Sequence, residues 1–186
     1  VGGLGRVRFD VSYGGAFDAI RPASRIGLSL AGAPIAPLLD AARRITDAIR
    51  AAVEIRHPTE PDLGFLYGTI LVDDVAPGGG GTSANLCVFG DGQIDRSPTG
   101  SGVTARLALE HARGRFAPGM RGRFAGATGH AFTGEIVGTG RIGTLDTVTV
   151  RVGGRSHYSG EASFSVEPDD PLGGGFLLDR FAPPVG

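Results

Sequence analysis

Between Asp95 and Gly102 the chain reads Asp-Arg-Ser-Pro-Thr-Gly-Ser-Gly, a carboxylate, a hydroxyl and small residues directly ahead of an apolar, helix-forming run from Val103 to Ala112. Such an arrangement suits a pocket for a small anion. The amides at a helix start have no partner within the helix, and the helix dipole favours negative charge there. Ser97 precedes Pro98 and is biased towards extended backbone, while Pro98 cannot donate to a ladder, so any preceding strand ends here. Gly100 and Gly102 carry no Cβ and would let backbone approach a ligand closely.

Other residues able to do chemistry fall into weaker patterns. His57, His111, His130 and His157 show no regular spacing and no Cys/His cluster exists, which gives no support to a metal site. The run Gly78–Gly81 lacks the Lys-Ser/Thr of a phosphate loop and reads as a flexible connection. Asp73-Asp74 and Asp169-Asp170 sit beside Pro- or Gly-rich sequence and read as solvated turns. The single cysteine, Cys87, lies in the apolar run Asn85–Phe89 with no basic neighbour, and reads as a buried strand residue rather than a reactive thiolate.

The elements that must hold the Asp95–Gly102 segment follow from periodicity. Arg6 to Tyr13 alternates apolar and polar residues as a half-buried strand, turned by Gly14-Gly15 into a second short strand. From Pro34 to Val53, Ile35, Leu38, Leu39, Ala42, Ile45, Ile49 and Val53 recur at helical spacing opposite Arg43, Arg44, Asp47 and Arg50, predicting an amphipathic helix laid on a sheet. Leu66–Val72 and Asn85–Phe89 read as core strands. The apolar residues of Val103–Ala112 occupy several faces, which predicts an enclosed helix stopped at Gly114. Strands are expected at Arg123–Ala125, Ala131–Val137, Thr147–Val152 and Ser156–Val166. Together these predict an α+β fold, a sheet curling around a buried central helix.

The 186 residues suit one domain able to bury a core without disulfides, and the formal net charge of -1 argues against a nucleic-acid footprint. No apolar stretch is long enough to span a bilayer. One cysteine rules out an internal disulfide and fits a cytoplasmic setting.

Phe89-Gly90-Asp91-Gly92-Gln93-Ile94-Asp95-Arg96-Ser97-Pro98-Thr99-Gly100-Ser101-Gly102-Val103-Thr104-Ala105-Arg106 resembles the second active-site motif of the proline racemase family, which also takes in hydroxyproline 2-epimerases and trans-3-hydroxy-L-proline dehydratases. Asp10-Val11-Ser12-Tyr13-Gly14-Gly15-Ala16-Phe17 resembles the family's Asp-(Ile/Val)-x-Tyr-Gly-Gly-x-Phe segment. Phe132-Thr133-Gly134, Ser159-Gly160-Glu161-Ala162, Asp169-Asp170-Pro171-Leu172 and Gly175-Phe176 follow in family order, so the resemblance spans nearly the whole chain. It implies the diaminopimelate epimerase-like fold, in which each of two halves wraps a barrel-like mixed sheet around a central helix and one substrate sits where the helix starts converge. It implies no cofactor. The family's first half carries a Cys-Gly-His motif whose cysteine takes the substrate's α-proton. Here His130 lies between Gly129 and Ala131, and no Cys-Gly pair occurs. The chain is therefore expected to be the C-terminal half, a single domain over residues 1–186, with the catalytic cysteine in a missing N-terminal half. A homodimer formed through the uncovered face is a further expectation.

By the same resemblance, Asp95 accepts hydrogen bonds from the substrate's ring ammonium, the amides of Gly100 and Ser101 hold its carboxylate, and Phe89 forms an aromatic wall. More local readings stand beside these: a turn-forming Asp95, helix capping at Gly100 and Ser101, core packing for Phe89, and a structural ion pair for Arg96. Thr99 stands where racemases and epimerases place a second cysteine. A thiol, with an ordinary pKa of about 8.5, can be tuned to exchange protons near neutrality, whereas an aliphatic hydroxyl cannot without strong activation. Threonine here resembles the dehydratases, in which removal of the α-proton is followed by loss of a β-hydroxyl, with pyrroline-2-carboxylate as product. Thr99 then contacts the departing hydroxyl, lines the pocket, or caps the helix. Competing expectations are a non-catalytic binding or scaffold domain that keeps the carboxylate cradle, a proline or hydroxyproline racemase-epimerase, and an enzyme of this fold acting on another small amino acid.

Overall fold

Gly14-Gly15 reverses the chain between β1 (Asp10–Tyr13) and β2 (Phe17–Pro22) in the computed structural model, which describes Val1 and residues 5–176. β1 is shorter than the alternation of Arg6–Tyr13 suggests. Its register pairs Asp10 with Ile20, so Phe9 and Arg8 would fall opposite Arg21 and Pro22, where β2 ends and proline offers no donor. Next come α1 (Ile35–Ala52), β3 (Leu66–Val72), β4 (Thr82–Phe89) and the short β5 (Gln93–Ile94). α2 (Gly100–Ala112), β6 (Arg121–Ala125), β7 (Ala131–Ile142) and β8 (Leu145–Gly153) complete the order. The last two strands form a longer hairpin than the apolar residues alone indicate, because exposed polar positions continue the ladder out to its Gly143 turn.

The strands form one sheet in the order β1-β2-β3-β4-β6-β7-β8, with β5 pairing to β4. It is mixed: β2 with β3 and β4 with β6 are parallel, and the other pairs are antiparallel. On one face, Leu38, Ala42, Ile45 and Ile49 of α1 pack against Ala19, Leu71, Leu86 and Val88. A buried polar bridge in that layer joins the Thr46 and Thr69 hydroxyls at 2.8 Å. α2 covers the opposite face. Its Ala105 joins Ile20, Ile70 and Cys87, and its Val103 and Leu107 join Phe116, Phe124 and Ile136. α2 meets both β1 and β8, the two edges of the sheet, so the sheet curls around it as expected for a buried central helix. Cys87 is fully buried on β4, as its apolar setting predicts.

The chain divides into residues 1–155 and residues 156–186. In the second unit the expected strand at Ser156–Val166 does not form. Tyr158 and Phe164 are 94% and 92% exposed. The alternation there is strand-like, but alternation is only a preference for pairing, and these residues form no ladder among the described residues. Asp169–Asp170 does form a turn, with the Leu172 amide donating to Asp170 Oδ1 at 2.8 Å.

Candidate active site at the start of the buried helix

The segment leading into α2 is held by the strand before it. Gly92 N–H donates to the Phe89 carbonyl, and the positive φ at Gly90 and Gly92 (52° and 88°) closes a tight reversal. β5 then returns antiparallel along β4, and the Asp95 amide donates to the Cys87 carbonyl at 3.2 Å. Asp95 Oδ1 accepts the Ser97 amide at 2.8 Å, Ser97 Oγ accepts the Thr99 amide at 3.0 Å, and the Thr99 hydroxyl donates to Asp95 Oδ2 at 2.8 Å. The first bond into the helix runs from the Val103 amide to the Thr99 carbonyl at 2.8 Å. The amides of Gly100, Ser101 and Gly102 precede it and have no acceptor within the helix.

Neighbouring loops buttress this path. The Thr128 hydroxyl donates to the Arg96 carbonyl at 3.0 Å, and Asn85 Nδ2 to the Pro98 carbonyl at 3.4 Å. Gly126 lies so close that a Cβ there would fall 2.4 Å from the Ser97 carbonyl carbon. Arg106 reaches back from α2, its Nη1 donating to Asn85 Oδ1 at 2.5 Å and to the Ala84 carbonyl at 3.1 Å. Asp73 lies 3.9 Å from Arg106 and accepts the Ser83 hydroxyl at 2.6 Å, so it is a structural acid and not a solvated turn residue.

Asp95, Thr99, Gly100 and Ser101 lie together at the helix start, with corrections of detail. Thr99 does not cap α2, because its hydroxyl turns to Asp95 instead. Asp95 is the turn-forming aspartate of the local reading. An ionised carboxylate offers about four lone-pair positions, and two internal donors leave capacity for a cation as well. Gly100 faces open space, whereas Gly102 is small for packing: a Cβ there would sit 2.8 Å from Ile70 Cδ1. Phe89 takes part in packing beside Ile20 and Cys87 and stacks on Tyr67, with ring centroids 5.3 Å apart and planes 9° apart. Arg96 is exposed and forms no ion pair among the described residues.

Thr99 has φ 66°, the one positive φ outside glycine among the described residues. For a β-branched residue this costs on the order of 1–3 kcal/mol, and such strain persists only where the surroundings impose it. Here the Asp95–Ser97–Thr99 relay imposes it.

Asp18 escaped the sequence reading, although it directly follows the Tyr-Gly-Gly-x-Phe segment. Ala19 faces α1, so by strand alternation Asp18 shares the α2 side with Ile20. It is fully buried, and neither carboxylate oxygen has a hydrogen-bond partner among the described residues. Burial raises its pKa to about 7. Cys87 is pushed up to about 12, first by burial and then by the Asp18 charge, while a hydrogen bond with Thr99 acts the other way. The thiol is thus protonated near neutrality and unsuited to be a base. No group of three or more His, Cys, Asp or Glu side chains among the described residues could hold a metal ion. No described helix is long and apolar enough to cross a membrane.

The arrangement offers an anion cradle at the α2 start, an acidic acceptor for a cation in Asp95, and a hydroxyl whose proton is already engaged. Among the described residues, Cys87 and Asp18 are both fully buried, so neither is poised to take a carbon-bound proton. Against known proteins, a sequence model described as Proline racemase matches residues 1–177. A human trans-3-hydroxy-L-proline dehydratase is 48% identical over 179 residues, covering 96% of this chain and 51% of that protein. The enzyme of the same name from Colwellia psychrerythraea is 40% identical over 178 residues, covering 96% of this chain and 50% of the relative. The chain thus spans about half the length of the curated relatives it matches. Among solved structures, a hydroxyproline epimerase from Agrobacterium vitis with bound trans-4-OH-L-proline aligns with a TM-score of 0.82 at 30% identity, covering 94% of this chain and 50% of that one. A probable proline racemase from Agrobacterium radiobacter K84, with bound carbonate, gives the same score at 27% identity, over 94% and 51%.

Proposed function

This chain belongs to the proline racemase family, and on that premise we propose that the complete polypeptide is a cofactor-independent trans-3-hydroxy-L-proline dehydratase of which these residues form the C-terminal half. The amides of Gly100 and Ser101 bind the substrate carboxylate at the helix start. Asp95 accepts hydrogen bonds from the ring ammonium, and Phe89 with Tyr67 walls one side of the ring. A cysteine of the other half removes the α-proton. The electron pair left on the α-carbon forms a double bond to the β-carbon as the bond to the β-hydroxyl breaks. The departing hydroxide takes up a proton and leaves as water, and the cyclic enamine tautomerises to pyrroline-2-carboxylate. A cytoplasmic location belongs to the same reading.

The observation that carries the proposal is the Thr99 hydroxyl bound to Asp95 at 2.8 Å. It occupies the position of the second thiol, and its proton is committed to a carboxylate, so it is poor at returning a proton to the opposite face of the α-carbon. That favours elimination over racemisation. The test is turnover of trans-3-hydroxy-L-proline by the complete polypeptide, read as pyrroline-2-carboxylate. Epimerisation of 4-hydroxyproline with no such product would reverse the assignment. Thr99→Cys should introduce measurable α-epimerisation while lowering dehydration by on the order of tenfold or more.

A further inference from the structure

The other end of α2 opens onto a cavity of about 660 Å³, walled by the end of β2, the segment after β3 and the C-terminal half of the helix. Six arginines line it: Arg8, Arg21, Arg25, Arg106, Arg113 and Arg115. Three are neutralised within the fold. Arg106 lies 3.9 Å from Asp73, Arg113 pairs with Asp10, and Arg115 holds Glu110 at 2.6 Å. The remaining acid of the wall, Asp74, accepts the Ser24 hydroxyl at 2.9 Å.

Arg8, Arg21 and Arg25 are left over. Among the described residues none of the three forms a hydrogen bond or an ion pair, and Arg21 Nε is buried with no acceptor. Burial, then the Arg25 charge, lowers the basicity of Arg21; Asp10 opposes this and Arg8 adds to it. Like charges gathered along one concave wall, Arg21 half-buried and Arg8 and Arg25 exposed, repel one another, and a negative ligand would relieve the repulsion. The planar guanidinium fork matches carboxylate and phosphate oxygens in pairs. The volume falls within the range of about 300–1,000 Å³ usual for small-molecule sites.

We propose that this cavity is a second ligand site, separate from the α2 start, which takes a small multivalent oxyanion, a phosphate ester or a di- or tricarboxylate, between Arg21, Arg25 and Arg8. α2 has 13 residues, which sets its two ends about 20 Å apart. The site makes no use of the carboxylate cradle and does not depend on the dehydratase reading.

The experiment uses the complete polypeptide, titrated with pyrophosphate and separately with citrate at constant ionic strength, with chloride as control. Binding is read by calorimetry and by thermal unfolding. Saturable heat and a rise in Tm are expected, with affinity falling as salt is raised. Stronger pyrophosphate binding would point to a phosphate ester, and stronger citrate binding to a polycarboxylate. The double variant Arg21→Gln/Arg25→Gln should bind on the order of tenfold more weakly or worse. Without anion it should be at least as stable as the parent, since it removes repulsion and no pairing. A parent protein that shows no saturable response to either anion overturns the proposal, as does a double variant with unchanged affinity.

Discussion

Thr99 and Asp95 act as one unit, since the hydroxyl of the first is held by the carboxylate of the second at 2.8 Å. Asp95→Asn keeps the size but replaces one acceptor oxygen with a donor, so the Thr99 hydroxyl must accept where it had donated and a bound ammonium loses its counter-charge. On the proposed dehydratase reading, the KM of the complete polypeptide should rise by on the order of tenfold or more, with a proportionally smaller change in kcat. A KM within twofold of the parent would show that Asp95 serves only the turn. Asp18 makes a different prediction. Its carboxyl is raised from 3.8 to about 7 by burial, so the native state holds its proton more tightly than the unfolded chain does. The resulting stability is fully present below the unfolded value and is lost as pH rises through about 7. The shift corresponds to roughly 4 kcal/mol, at about 1.36 kcal/mol per unit. Asp18→Asn cannot ionise and should remove this loss, so that denaturant unfolding at pH 5 and pH 8 gives closer stabilities than in the parent. Equal slopes for the two proteins would mean that Asp18 does not titrate in this range.

At the scale of elements, the position of α2 is set by close backbone approaches as well as by apolar burial. A Cβ at Gly14 would lie 2.1 Å from the Ser101 carbonyl oxygen and 2.4 Å from the Ala105 amide nitrogen, and the Ser12 hydroxyl donates to the Ala105 carbonyl at 2.7 Å. The β1–β2 turn therefore braces the first turns of the helix that carries the cradle. Gly14→Ala must push these elements apart, costing about 1–3 kcal/mol in denaturant unfolding and weakening substrate binding as well. Gly100→Ala meets no atom within 4 Å and should leave stability nearly unchanged, which makes it the control for the stability measurement alone. On the other face, Ile45 of α1 is fully buried, and Ile45→Ala should cost about 2–5 kcal/mol. That loss should appear as a lower unfolding midpoint without a change in substrate preference. The α1 and α2 segments were both legible from periodicity, one with a single apolar face and the other apolar on several. The strand expected at Ser156–Val166 was not, because alternation records a preference for pairing and says nothing of whether an edge is available.

For the whole molecule, chemistry and completeness are linked. Besides Asp95, whose oxygens already accept the Ser97 amide and the Thr99 hydroxyl, the described residues near the α2 start offer Cys87, raised to about 12, and Asp18 as candidates for a base, and both are fully buried. Residues 1–186 alone should therefore exchange no α-deuterium into a proline-type substrate in heavy water, while the complete polypeptide should do so, as followed by proton NMR. Exchange by the isolated chain would show that this half carries its own base. The α+β class and the two helices were legible in periodicity, because short-range spacing is a local property, and the family was legible in its motifs, whose resemblance also pointed to Phe89, Asp95, Thr99, Gly100 and Ser101 as candidates. What only the tertiary structure decided is how those residues are used. Thr99 turns from the helix to Asp95, Gly102 is small to admit Ile70, and Asp18 with Arg8, Arg21 and Arg25 at the far end of α2 forms no hydrogen bond or ion pair among the described residues. These depend on which segments meet across the curled sheet, and local sequence does not encode a hydrogen-bond shortage between residues distant in the chain.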